Sequence, residues 1–428
     1  MDVKQKQDWM TIRRSRTTGA LAQAIDEGLT SFTVVERHGK QITTEEGKVF
    51  TEFVSCSYLG LEHHPALIEA ANQAMARTGI HLSSSRGAMR PQYLRQLEEL
   101  LEEIYQGGSV AVFTSTSNVH LGVLPLLGSG SLPNYPLTRP VHWLMDKTAH
   151  ASMQVLRGIL EQFGPVSRVD SADEPSVQQA LQNCGENQRT PVLLIDGIGS
   201  MNGLIPVAEL TRKLAAAGGY VYVDDAHGIS IVGRNGAGYA FAALDHVLPS
   251  NLILAGSLSK AFGGAGGFVV VAGADDIEVI STLANPLVFG HSIMVPMLAA
   301  NVAAAKLHLS LEIEIRQEQL WKNVNLFDSL TGNSLMNAGV QSPVRGALFE
   351  NEVEGLEAAR LLRDNGILLF PVFYPLVPDG NAMLRFAFSS EHKESEIRQL
   401  VNTLFKIREK GLNWAKPQAI APQVQVTQ

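Results

Sequence analysis

Val221-Tyr-Val-Asp-Asp-Ala-His-Gly228 and, further along, Ala255-Gly-Ser-Leu-Ser-Lys-Ala-Phe-Gly-Gly-Ala-Gly-Gly-Phe268 are the stretches on which the fold turns. The first is an apolar run ending in two acids and a histidine. The second leads through a serine-flanked lysine into a glycine-rich segment. Working outward, short apolar runs predict strands at Ser109–Phe113, Val141–Met145, Pro191–Asp196, Tyr220–Asp224, Asn251–Ala255 and Gly267–Val271. Amphipathic segments between them predict helices at Ala149–Gln162, Pro175–Asn183 and Pro206–Ala216. Strands alternating with helices imply βαβ units, hence an α/β fold whose mostly parallel sheet is covered on both faces. Ligands of such sheets sit at the carboxyl ends of the strands, where Asp196, Asp224 and Ser257 fall.

A second pattern follows. A long helical stretch from Pro296 to Leu330 precedes a strand at Val344–Phe349, a helix at Val353–Asn365, strands at Ile367–Phe373 and Met383–Phe388, and a helix at Lys393–Lys410. This order predicts a small α+β domain. Two further helices, His64–Arg77 and Pro91–Tyr105, lie upstream of the alternating region. The expected division is an N-terminal arm over 1–60, a large domain over 61–295, a small domain with its linking helix over 296–415, and a flexible tail over 416–428.

Composition narrows the class. The 428 residues are 45% hydrophobic and 18% charged, long enough for a large core and typical of a globular enzyme. A net charge of −8 disfavours a nucleic-acid surface, which needs cations to displace counterions. The basic cluster Arg13, Arg14 and Arg16 reads as a solvated segment. Cys56 and Cys184 lack metal-ligand spacing, so no disulfide framework and no metal site are expected. The start of the chain lacks the apolar core of a signal peptide, and Ile293–Leu311 is interrupted by Pro296, Asn301, Lys306 and His308. A cytoplasmic protein without a membrane span is the expectation.

The candidate chemistry lies in a few residues. A lysine flanked by small hydroxyl residues and glycines, downstream of a strand-end aspartate, is what a pyridoxal phosphate site needs. Lys260 would form the Schiff base, Asp224 would face the protonated ring nitrogen, and Ser257 would reach the phosphate. His227 is placed to hydrogen-bond the phenolic oxygen, although an isolated Asp-x-x-His is more often a strand-end turn; as a pair of metal ligands it lacks a third at suitable spacing. His150, in Asp146-Lys-Thr-Ala-His-Ala-Ser152, can stack on a planar ring or simply occupy a loop. Ser200, in the segment after Asp196, is another hydroxyl near a strand end. Thr114-Ser-Thr-Ser-Asn118 opens a helix, and free amides at a helix start suit a phosphate as well as a cap. Arg385 within an apolar strand requires an anion, either a substrate carboxylate or a structural acid.

In their order along residues 54–404, these motifs resemble the α-oxoamine synthase family of fold-type I pyridoxal phosphate enzymes. The resemblance is carried by Ser57-Tyr-Leu-Gly-Leu-Glu-His-His-Pro65, Asp146 to Ser152, Ser200-Met-Asn-Gly203, Asp224-Asp-Ala-His-Gly228, Ser257-Leu-Ser-Lys260, Tyr374-Pro-Leu-Val-Pro378, Arg385 and His392. It implies a seven-stranded sheet of fold type I in the large domain. It also implies a decarboxylative condensation of an amino acid with an acyl thioester, on coenzyme A or a carrier protein, giving an α-amino ketone. In that scheme Lys260 is the Schiff-base lysine and the base, and His150 stacks on the ring and polarises the acyl carbonyl. His227 and Ser200 approach the phenolic oxygen, and Arg385 holds the amino-acid carboxylate. The family is homodimeric, so His291 and Ser292, in the Phe289–Ser292 segment, would reach the phosphate of the neighbouring subunit.

The chain departs from the family pattern in four places. Ser115-Thr-Ser-Asn-Val-His120 stands where relatives carry Ser-Gly-aromatic-x-Ala-Asn, so Thr116 and Ser117 supply the expected phosphate amides. Leu94 replaces a histidine, Cys56 an asparagine and Asp196 a glutamate, the last two bordering the substrate in relatives. These changes favour a specialised product such as an autoinducer-type amino ketone. An aminotransferase or lyase on the same fold shares the lysine and aspartate and is the alternative; a non-catalytic scaffold subunit is disfavoured by the retained Lys260, Asp224 and His227.

Overall fold

The computed structural model describes residues 19–199, 203–374 and 376–415. The expected basic segment at Arg13, Arg14 and Arg16 and the tail from 416 lie outside these residues. Two compact units emerge among the described residues, one of residues 59–318 and the other joining residues 19–58 with residues 319–415. The boundaries therefore differ from 60/61 and 295/296. The helix Val295–His308 belongs to the large unit, and it packs there against the helix Pro65–Thr78.

The large unit is built on a seven-stranded sheet. Its spatial order is Ser109–Phe113, Gly267–Val271, Leu252–Ser257, Tyr220–Asp224, Thr190–Asp196, Val141–Asp146 and Val166–Val169. The five strands from Leu252–Ser257 to Val166–Val169 pair in parallel, and Gly267–Val271 runs antiparallel to both neighbours. Val192, Leu193, Leu194 and Ile195 are all buried, as are Val221, Tyr222 and Val223. Such unbroken apolar runs are what a strand covered on both faces requires. Register places Asp224 opposite Asp196 on one side and Ala255 on the other. The carboxyl-end residues thus meet along one edge of the sheet.

Local chemistry revises several elements. The expected helix Ala149–Gln162 is two short helices, Ala151–Gln154 and Arg157–Leu160. Between them Leu156 N–H bonds Met153 O and Ile159 N–H bonds Leu156 O, a tighter i to i+3 pattern. The stretch from Pro296 to Leu330 is likewise two helices, Val295–His308 and Leu311–Thr331. Ser310 divides them: its hydroxyl donates to Leu307 O and accepts from Glu312 N–H, competing with the helical ladder.

In the smaller unit, Val344–Phe349, Ala382–Ala387 and Phe370–Val372 form an antiparallel sheet. The helices Glu352–Asp364 and Glu394–Glu409 complete the expected α+β pattern. Three strands that the sequence pattern did not indicate, Val34–His38, Gln41–Thr44 and Val49–Glu52, form a second sheet with Ile367–Leu368. The expected strand Ile367–Phe373 is thus split between two sheets, with Ile367 opposite Thr51 and Phe370 opposite Arg385.

This unit contains a buried ion pair, with Arg345 Nε 2.7 Å from Asp328 Oδ1 and Nη2 2.6 Å from Oδ2. Arg345 Nη1 donates to Ser342 O at 2.7 Å. Removing one partner strands the other charge away from water. Asp328→Ala is expected to lower the unfolding free energy by about 3–5 kcal/mol in a denaturant titration, and Asp328→Leu with Arg345→Met to restore most of it.

Candidate active site

The site begins at the end of the Tyr220–Asp224 strand. Asp224 is buried, and burial alone would raise its pKa. The hydrogen bond and charge of His120, then the charge of Lys260, overcome that penalty and hold the carboxyl at about 2. His120 Nε2 lies 3.0 Å from Asp224 Oδ2, and Ala226 N–H donates to Oδ1 at 3.0 Å. Asp196, its neighbour across the sheet, moves the opposite way. Burial and the nearby Asp224 charge push its pKa well above the carboxylate range. The two acids are therefore shifted in opposite directions. Asp196 Oδ1 accepts the amide of His150 at 3.1 Å, so this acid positions the start of the histidine segment.

Desolvation lowers the pKa of His150 against the attraction of Asp224, and the charges of Lys260 and His120 lower it further. A neutral imidazole results, with Nδ1 2.7 Å from Ser152 Oγ. His227 is buried just beyond Asp224. Asp225 is fully buried, accepts Ala240 N–H at 2.9 Å and is raised by desolvation, so it supports the turn. Ser200 lies outside the described residues.

Lys260 stands on a loop closed by its own neighbours. Ser259 Oγ accepts Gly266 N–H at 2.9 Å and donates to Gly266 O, while Leu258 N–H also bonds Gly266 O at 2.9 Å. Asn301, from the helix Val295–His308, accepts Ala265 N–H at 3.1 Å and donates to Ala265 O at 2.8 Å. Its side-chain amide pairs with the loop backbone as a strand would. Gly263 has φ +85° and packs on Leu61 and Glu62, where a Cβ would have no room. Ser257, buried at the strand end, accepts Ser259 N–H at 3.2 Å.

The helix Thr116–Gly128 starts beside this loop. Ser115 caps it, its Oγ accepting Asn118 N–H at 3.2 Å, and Thr116 Oγ1 donates to Gly256 O at 3.2 Å. A Cβ on Gly267 would lie 2.5 Å from Thr116 N, so only glycine lets the strand pass beneath the helix start. The amides of Thr116 and Ser117 occupy the first turn, where backbone donors have no intrahelical acceptor.

The residues present fit pyridoxal phosphate. They supply an ionised carboxylate for a protonated ring nitrogen, an amine on a closed loop, and first-turn amides with a serine hydroxyl for phosphate. Among the described residues no group of three or more His, Cys, Asp or Glu could hold a metal ion. No helix among them is long and apolar enough to cross a membrane.

Arg385 lies in the smaller unit, buried, with Nη2 3.6 Å from Cys56 Sγ and 3.4 Å from Tyr58 Oη. His392 supports the fold: its Nε2 meets Glu52 O at 3.0 Å, its Nδ1 accepts Ser389 N–H, and its ring stacks on Phe53. Leu94 is core. His291 and Ser292 lie on a partly exposed segment, where the His291 ring meets the edge of His81. Sequence reasoning missed His120, Tyr222 and Asn301 as members of the site. The signal for His120 was its place in the divergent Ser115–His120 stretch.

Comparison with known proteins agrees with this geometry. The sequence model of the aminotransferase class I and II family matches residues 144–404. The 8-amino-7-oxononanoate synthase of Marinomonas sp. (strain MWYL1) is 30% identical over 369 residues, covering 84% of this chain and 86% of its own. The serine palmitoyltransferase of Sphingobacterium spiritivorum is 27% identical over 367 residues, covering 85% and 87%. In structure, a serine palmitoyltransferase from Sphingomonas wittichii superposes with a TM-score of 0.80 at 19% identity, covering 96% of this chain and 100% of that one.

Asn301→Ala would leave both the amide and the carbonyl of Ala265 without this partner. It is expected to cost about 1–3 kcal/mol in thermal unfolding and to speed protease cleavage within residues 259–267.

Proposed function

The chain belongs to the aminotransferase class I and II family, and from that premise we propose that it is a pyridoxal phosphate-dependent acyltransferase of the α-oxoamine synthase type. It joins an amino acid to an acyl thioester, with release of carbon dioxide and free thiol, to give an α-amino ketone. The observation that carries this reading is the ionised, buried Asp224 beside Lys260 on its closed loop. When bound, pyridoxal phosphate supplies a ring that withdraws electrons from the amino-acid α-carbon.

Each residue then has a task. Asp224 holds the proton on the ring nitrogen. The Lys260 amine would hold the cofactor and would serve as the base for the α-proton. The amides of Thr116 and Ser117 and the hydroxyl of Ser257 bind phosphate, as the first turn of a capped helix favours. The His150 imidazole would pack on the cofactor ring and donate toward the acyl carbonyl. His227 and Ser200 serve the phenolic oxygen. Arg385 would hold the amino-acid carboxylate through its guanidinium, and Cys56 and Asp196 are the further residues proposed to border the substrate. In a homodimer, His291 and Ser292 serve the neighbouring subunit's phosphate. The reducing cytoplasm is the proposed compartment, which suits a chain with two cysteines in 428 residues.

Borohydride treatment of the loaded protein is expected to fix the cofactor on the peptide containing Lys260, as read by mass spectrometry; a label on another lysine overturns the assignment. With an amino acid and an acyl-CoA, thiol and carbon dioxide should appear together, whereas an aminotransferase or lyase needs no thioester. Lys260→Ala is expected to lower turnover by at least about a hundredfold. Arg385→Ala should raise KM for the amino acid by about ten- to a hundredfold and leave KM for the thioester within about threefold.

A further inference from the structure

Tyr222 and Asp224 are two residues apart on one strand, so their side chains leave the sheet on the same face. Across that face runs the helix Thr116–Gly128, carrying His120 with no exposure to solvent. The imidazole bridges the two strand residues: Nδ1 is 2.8 Å from Tyr222 Oη and Nε2 is 3.0 Å from Asp224 Oδ2. An ionised carboxylate can only accept, so Nε2 is the donor in either charge state of the ring. Tyr222 is buried and remains a phenol, its hydroxyl engaging the opposite nitrogen and setting the ring plane. Among the described residues, Asp224 Oδ2 accepts from His120 and Oδ1 from Ala226. The loop and hydroxyl chemistry assigned above makes no use of this chain of groups.

We infer that His120 is a positioning residue for the cofactor: it orients the Asp224 carboxylate toward the ring nitrogen and keeps it an acceptor, while Tyr222 holds the imidazole in place. The inference rests on the cofactor reading above. His120 acts through Asp224 and touches neither substrate nor reacting atoms. Removing the Nε2 donor takes away the hydrogen bond that favours the ionised form, and the ring nitrogen then loses its proton-holding partner. The family pattern has asparagine at this place, which can donate to Asp224 but offers no second ring nitrogen for Tyr222.

The test measures the dissociation constant of pyridoxal phosphate and the NMR signal of its 15N-labelled ring nitrogen, both on the whole protein. The wild type should bind the cofactor and show a protonated nitrogen; failure to bind at all rejects the cofactor reading rather than this inference. His120→Leu is expected to weaken binding tenfold or more and move the nitrogen signal toward the unprotonated position. His120→Asn should recover part of both. In an Asp224→Ala background, His120→Leu should cause no further loss of affinity, because its effect passes through the carboxylate. Wild-type affinity and signal in His120→Leu, or an equal additional loss on top of Asp224→Ala, overturns the inference. Should His120→Leu fail to fold by circular dichroism, Tyr222→Phe decides on the same signal: a shift supports the inference and an unchanged position overturns it.

Discussion

A carboxylate is buried at the end of the Tyr220–Asp224 strand, and the rest of the site is arranged around its charge. An ion in such surroundings costs several kcal/mol unless hydrogen bonds and an opposite charge compensate for it. His120, Ala226 and Lys260 provide that compensation, and Asp224 stays ionised. The same charge acts on its neighbour in the sheet. In Asp196, in register with Asp224, burial and that charge push the pKa up, and its Oδ1 accepts the His150 amide. Two acids, each at the end of an apolar strand, are thereby shifted in opposite directions.

The glycines around Lys260 have separable duties. Gly263 takes a left-handed conformation against Leu61, whereas Gly267 makes room for the helix that begins at Thr116. Rigidity of the loop comes from elsewhere. Ser259 ties its two ends together, and Asn301 reaches in from a distant helix to satisfy both polar groups of Ala265. An amine that must be presented at one position is thus carried by a segment whose backbone bonds are already made.

Much of the large sheet was legible because its strands are continuous apolar runs. Ser109–Phe113, Tyr220–Asp224 and Gly267–Val271 agree with the structure to the residue, and the acids at the strand ends marked the functional edge. The small N-terminal strands were not legible. Val34, Val35 and Val49 are exposed, and Lys40 and Glu52 are buried as an ion pair, so neither face shows a clean alternation. Ser310, as a side chain that breaks one helix and starts another, was hidden inside a pattern that reads as continuous helix. His120 drew notice only as a departure from a family motif.

The sequence by itself determined the class of fold, the order of the chemical motifs and the pairing of a strand-end aspartate with a glycine-flanked lysine. Apolar periodicity and turn chemistry are local properties, and they can be read from neighbours along the chain. Only the tertiary structure decided what holds the charge of Asp224. His120 lies 104 residues from Asp224 in sequence and 3.0 Å from it in space. Desolvation and Coulomb interactions act through that short distance, and nothing in the local sequence of either residue encodes it.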